Sequence, residues 1–121
     1  MHESAMALSI LHIVEDEARR HDARHIREVR LRLGVLTAVE THALAAAFEI
    51  VSEGSIADSA KLTIERTPVQ AHCKQCGADF ALYHRYGSCT VCQSHDLTLS
   101  GGMECVISGI EADNSVSTKE Q

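Results

Sequence analysis

The chain has 121 residues, 45% of them apolar but only 3% aromatic and none tryptophan, so any core is built mostly from Leu, Ile, Val and Ala. A formal net charge of −6 argues against non-specific attraction to nucleic acid or to an anionic membrane. No apolar run is long enough to span a bilayer, and Met1-His2-Glu3 lacks the basic region of a signal peptide. Together these predict a cytoplasmic protein.

From Ser4 to His21, Met6, Ile10, Ile13 with Val14, and Ala18 recur at spacings of three and four. Leu8 and Leu11 widen the stripe, which predicts an amphipathic helix; Arg19, Arg20 and His21 suit its negative dipole end. The period then changes to two. Val29, Leu31 and Leu33 alternate with Glu28, Arg30 and Arg32, predicting a strand over 26–33 closed by Gly34. Thr37-Ala38-Val39-Glu40 has the form of a capping box, with Thr37 as N-cap and Glu40 reaching back. A second helix is predicted from there to Ser52, with Leu44, Ala47, Phe48 and Val51 inward and Gly54 at its end. Lys61–Arg66 alternates as a second strand, and Pro68, the single proline, marks a boundary. Met103, Cys105 and Ile107 alternate as a third strand, on which Cys105 is expected as a small buried hydrophobe. The polar stretch 112–121 is expected to be a disordered tail.

Four of the five cysteines form two identically spaced pairs, Cys73-x2-Cys76 and Cys89-x2-Cys92. A thiolate pair at this spacing wraps one turn around a metal, and two such turns supply a tetrahedral Zn²⁺ site. Gly77 and Gly87 lie where tight turns favour glycine. Disulfides or a redox pair are the alternatives, disfavoured where thiols stay reduced. Four protein thiolates leave no open position, so such a zinc is structural rather than catalytic. Phe80, Leu82 and Tyr86 offer only a thin apolar layer; a structural zinc, at about 10–16 kcal/mol, compensates. His72 and His95 flank the pairs as alternative ligands or supporting groups.

These elements predict an α+β fold: a small sheet of about three strands with two helices, plus an inserted zinc-ribbon-like four-cysteine module. The expected boundaries are 1–68 with 103–111 for the α+β domain, 69–102 for the zinc-binding domain and 112–121 for the tail.

His2 is a second metal-binding candidate. The α-amine of Met1, the amide nitrogen of His2 and its imidazole can close adjacent five- and six-membered chelate rings, an array suited to square-planar Ni²⁺ or Cu²⁺. The bland alternative is an exposed terminal side chain. His12, His42 and His84 read as solvated or satisfied polar side chains, and His21 and His25 need not share a face. There is no H-E-x-x-H, G-x-S-x-G or phosphate-cradling loop, and no nucleophile–base–orienter set stands out. The expectation is a protein that is not an enzyme.

Met1-His2-Glu3, Leu33-Gly34, Val39-Glu40, the run Ala43–Glu49, Gly54 and the double Cys-x2-Cys together resemble the HypA/HybF family, nickel metallochaperones of [NiFe]-hydrogenase maturation. The similarity covers about residues 1–111, and Ser4-Ala5 departs from the family's usual bulky apolar residue followed by a small one. The resemblance implies transported Ni²⁺ held by Met1, His2 and the backbone of Glu3, with Glu40 assisting. It implies structural Zn²⁺ on Cys73, Cys76, Cys89 and Cys92. The implied partners are a nickel-handling maturation GTPase and the hydrogenase large-subunit precursor, with neither nucleic acid nor membrane. An exposed helix or the zinc module could mediate a homodimer. The rival reading is a zinc-ribbon module for nucleic acid or a protein partner. Between Cys73 and Cys92, however, the charges are only Lys74, Asp79 and Arg85.

Overall fold

The computed structural model describes residues 2–84 and 86–114; Met1, Arg85 and 115–121, most of the expected tail, lie outside the described residues. Among the described residues, two helices and six strands follow in the order α1 (Glu3–Arg20), β1 (Ala23–Gly34), α2 (Thr41–Val51), β2 (Lys61–Thr67), β3 (Val69–Cys73), β4 (Asp79–Leu82), β5 (Leu97–Ser100) and β6 (Cys105–Asn114). The strands form two three-stranded sheets, ordered β2-β1-β6 and β4-β3-β5. The chain divides into two compact units, one of Met1–Leu31, Ala38–Ile64 and Ile107–Gln121, the other of Arg32–Thr37 and Glu65–Val106.

In the first unit, α1 buries Ala7, Ile10, Leu11, Val14 and Ala18, a stripe with helical spacing. The stripe is turned from the predicted one, which leaves Ile13 51% and Leu8 44% exposed. Glu3 lies in the first turn and Arg19 and Arg20 in the last, each complementing the dipole end it meets. Asp22 turns the chain at φ 55, a conformation Asp tolerates, so β1 starts three residues before the predicted Ile26. Ile26 and Val29 are both buried although three apart, so the two-residue alternation breaks between them. The Ile26 N–H donates to Ile56 O at 2.9 Å.

The start of α2 corrects the capping-box expectation. Glu40, not Thr37, is the N-cap, and its carboxylate accepts from the His42 and Ala43 N–H groups at 3.1 and 2.9 Å. Thr37 instead donates its hydroxyl to Gly34 O. Leu44 and Phe48 form the buried face of α2 and are fully enclosed, worth about 1.5–3 kcal/mol each. At the other end of the chain, β6 runs through Asn114, so residues 112–114 are strand rather than disordered tail. Arg27 supports this extension with ion pairs to Asp113 at 2.9 Å and Glu111 at 3.7 Å.

The second unit claims Arg32–Thr37, outside the expected boundaries 69–102. Backbone bonds explain it: Gly34 N–H donates to Glu104 O, Val35 N–H to Thr67 O and Leu36 N–H to Gly102 O, each at 2.8 Å. The Arg66 guanidinium donates to Leu33 O and Gly34 O. Here β3 is central and pairs antiparallel with β4 (Ala71↔Phe80, His72↔Asp79) and with β5 (Ala71↔Leu99, His72↔Thr98). Val69, Ala71 and Cys73 are buried, alternating with exposed Gln70 and His72. Tyr86 is 83% exposed and so is not part of the expected apolar layer.

Candidate metal centres

Each Cys-x2-Cys pair sits in a turn closed by its own backbone. Gly77 N–H donates to Cys73 O and Gln93 N–H to Cys89 O, both at 2.9 Å, and Cys73 N–H and Cys89 N–H return to Ala78 O and Ser94 O. The left-handed position of the first turn is Gly77 at φ 83, that of the second Gln93 at φ 63. Gly87, expected to serve the second turn, instead faces the Leu82 side chain, which a Cβ there would meet at 2.9 Å. The turns bring the four Sγ atoms within 4.8 Å of one another, and among the described residues they form the one group of three or more potential metal ligands this close. Cys73 and Cys92 Sγ are 3.6 Å apart, as are Cys76 and Cys89 Sγ. A tetrahedron of sulfurs bonded to zinc at about 2.3 Å has edges of about 3.8 Å, so the donor set fits Zn²⁺ closely.

Backbone amides reinforce that fit. Cys76 N–H points at Cys73 Sγ (3.5 Å), and Cys92 and Val91 N–H at Cys89 Sγ (3.4 and 3.3 Å). The Cys76 amide accordingly lowers the Cys73 thiol, and the Cys92 amide, followed by that of Val91, brings Cys89 down to about 6. Cys76 and Cys92 carry the opposing burden. An Ala78 amide favours the Cys76 thiolate, but neighbouring Cys89 and burial raise the thiol overall. For Cys92 the Ser94 amide is likewise outweighed, by burial and the three other sulfurs, which push it up to about 12. Four thiolates cannot coexist here without a cation, which is what a dipositive metal supplies. His72 Nδ1 lies 2.8 Å from Asp79 Oδ1, and no histidine joins the sulfur cluster among the described residues. Cys105 is exposed, not the buried hydrophobe expected, although partial burial still raises its thiol.

The nickel candidates lie in the first unit. Met1 lies outside the described residues. His2 is the exposed N-cap of α1, in extended backbone, and its side chain makes no capping bond. Glu3 Oε2 accepts from the Glu40 N–H at 3.0 Å, joining the starts of α1 and α2. This bond is the chief reason the Glu3 carboxyl stands below its ordinary value, and the His42 and Ala43 amides do the same for Glu40. His42, set aside in the sequence as a solvated side chain, has Nδ1 3.4 Å from Glu40 Oε2. The local signal was present, since a histidine two residues after an N-cap carboxylate stands beside it.

The family profile described as "Hydrogenase/urease nickel incorporation, metallochaperone, hypA" matches residues 1–112. Hydrogenase maturation factor HypA of Alkalilimnicola ehrlichii is 40% identical over 113 residues, covering 93% of this chain and 100% of that protein. Its counterpart in Dechloromonas aromatica is 39% identical over the same shares. Among solved structures, the Ni metallochaperone HypA from Helicobacter pylori is similar with a TM-score of 0.66 and 27% identity, covering 95% of this chain and 100% of that one.

Proposed function

The chain belongs to the HypA family of nickel metallochaperones in hydrogenase maturation, and from that premise we propose how it holds and passes on its cargo. Ni²⁺ is taken at the N-terminus by the Met1 α-amine, the His2 imidazole and the backbone at His2 and Glu3, with the Glu40 carboxylate assisting. Imidazole and deprotonated amide nitrogen give the strong in-plane field that suits a square-planar ion. Ligation at an exposed terminus leaves one face of the ion open, so the cargo can leave by stepwise ligand exchange. Zn²⁺ on Cys73, Cys76, Cys89 and Cys92 is the resident metal and shapes the second unit.

The observation that carries this reading is the family match from residue 1 to residue 112, which takes in the terminal residues and both cysteine pairs. The bond between Glu3 and Glu40 supports it, since it ties the Glu40 backbone to the side chain of the residue that follows His2. The expected recipients are a nickel-handling maturation GTPase and the hydrogenase large-subunit precursor. The working compartment is the cytoplasm, and no described helix is long and apolar enough to cross a membrane. The protein turns over no substrate of its own, and a homodimer is compatible with the role. The reading as a nucleic-acid module has less behind it, because Lys74 is already paired with Asp96 at 3.7 Å.

The test is Ni²⁺ titration of protein with an unmodified N-terminus. His2→Ala is expected to abolish stoichiometric Ni²⁺ binding while zinc content stays at one. Wild-type Ni²⁺ affinity in that variant would reject the terminal site.

A further inference from the structure

We propose that His42 is a further nickel donor of this chain, acting with the Glu40 carboxylate beside the terminal chelate. The inference rests on the terminal nickel site proposed above and adds one imidazole to it. His42 Nδ1 and Glu40 Oε2 stand 3.4 Å apart. Two donors on neighbouring positions of a first-row divalent ion, each bonded at about 2.1 Å, lie about 3–3.5 Å apart. The pair is therefore spaced to share one ion with no change of backbone.

Glu40 enters this arrangement without abandoning α2. Its Oε1 keeps the Ala43 N–H at 2.9 Å. Its Oε2 accepts the His42 N–H at 3.1 Å and retains a second lone pair. The Glu40 N–H is held in turn by Glu3 at 3.0 Å, so the backbone beneath the donor pair is tied to the residue next to His2. Helix N-termini carry partial positive charge, which opposes a cation, and the Glu3 and Glu40 carboxylates offset it. The His42 side chain is 97% exposed, so it meets an incoming ion without desolvation and can close the last few tenths of an ångström freely. Imidazole nitrogen is also a donor for which Ni²⁺ has high affinity.

An ordinary surface ion pair between Glu40 and His42 would change nickel affinity only through Glu40 and leave the number of nickel-bound imidazoles as it is, and this separates the two interpretations. Untagged wild type, His42→Ala, His42→Gln, His2→Ala and the control His12→Ala are loaded with Ni²⁺ alone. Affinity is read by competition titration, and the number of bound imidazoles by X-ray absorption at the nickel edge. Both His42 variants are expected to bind Ni²⁺ about tenfold more weakly and to lose one of two imidazoles, with zinc content unchanged. His12→Ala should match wild type. A wild-type imidazole count in both His42 variants, whatever their affinity, with binding abolished in His2→Ala, would overturn the His42 assignment and leave the terminal site standing. Wild-type binding in His2→Ala would overturn the terminal site and this inference with it.

Discussion

The carboxylate of Glu3 accepts the backbone N–H of Glu40 across 37 residues of sequence, at 3.0 Å. Each helix start leaves backbone N–H groups without partners inside the helix. Glu40 satisfies two of these for α2 with its carboxylate, and Glu3 satisfies the N–H of Glu40 itself. The two helix starts are thus held by charged acceptors only while both carboxyls are ionised.

Acid should loosen this junction. Both carboxyls are held below the ordinary value of 4.5, Glu3 chiefly by the Glu40 amide and Glu40 chiefly by the His42 amide. A carboxyl lowered in the folded state contributes stability that is fully present above the unfolded value and lost as pH falls through the folded one. The urea midpoint should therefore drop below pH 4.5, and drop less steeply in Glu3→Gln, which has no such proton to take up. Identical acid slopes in variant and wild type would reject the linkage.

The core of the first unit should respond sharply to truncation. Phe48 is fully buried, so Phe48→Ala is expected to cost about 3–5 kcal/mol through lost transfer energy and the cavity left behind. Ile50, two residues on, is 66% exposed, and Ile50→Ala should change stability by no more than about 0.5 kcal/mol. Chemical denaturation followed by helical circular dichroism measures both. Equal costs would mean that the α2 face is wrongly assigned.

The periodicities that placed both helices and β1 were legible because one face of each element is buried, and burial imposes the period. The four cysteines were legible because metal geometry fixes their spacing. What escaped detection depends on distant partners. Thr37 and Glu40 match a capping box locally, yet Thr37 is drawn to Gly34 O and Glu40 becomes the cap itself. The strands β3, β4 and β5 span only five, four and four residues, too short for a period to stand out, and their pairing joins residues on opposite sides of the knuckles. Residues 112–114 looked like a polar tail because the partner that orders them, Arg27, lies far back in sequence. The proposed terminal site shows in the sequence only as the chelate that Met1 and His2 could close, and the family resemblance is what raises it above an ordinary exposed histidine.

Glycine requirements differ between the two units. A Cβ on Gly34 would stand 2.1 Å from the backbone oxygen of Gly102, an atom that cannot step aside as a side chain can. Gly34→Ala is expected to destabilise the second unit by about 3 kcal/mol or more. Gly54 adopts φ 78 with nothing within 4 Å of a Cβ, so Gly54→Ala meets only left-handed strain, about 1–2 kcal/mol. Urea denaturation of the zinc-loaded protein compares the two. A smaller effect at Gly34 than at Gly54 would show that the Gly102 segment yields readily.

Zinc removal should unfold the second unit selectively. Its buried apolar side chains are few, and Cys73 and Cys89, themselves ligand candidates, are among its most enclosed residues. A structural zinc worth about 10–16 kcal/mol exceeds anything this core supplies. Without the ion, sulfurs 3.6 Å apart cannot all remain thiolates, and Cys92, pushed up to about 12, keeps its proton at neutral pH. Protons therefore compete with zinc, and chelation should succeed more readily as pH falls. Amide resonances of Ala71 and Leu99, paired across β3 and β5, should collapse on chelation, whereas those of Val14 and Phe48 persist. The first unit has its own buried stripe on α1 and the enclosed Leu44 and Phe48, none of which depends on the metal. Loss of all four resonances in one cooperative step would reject independent stability, and survival of the second unit without zinc would reject the staple.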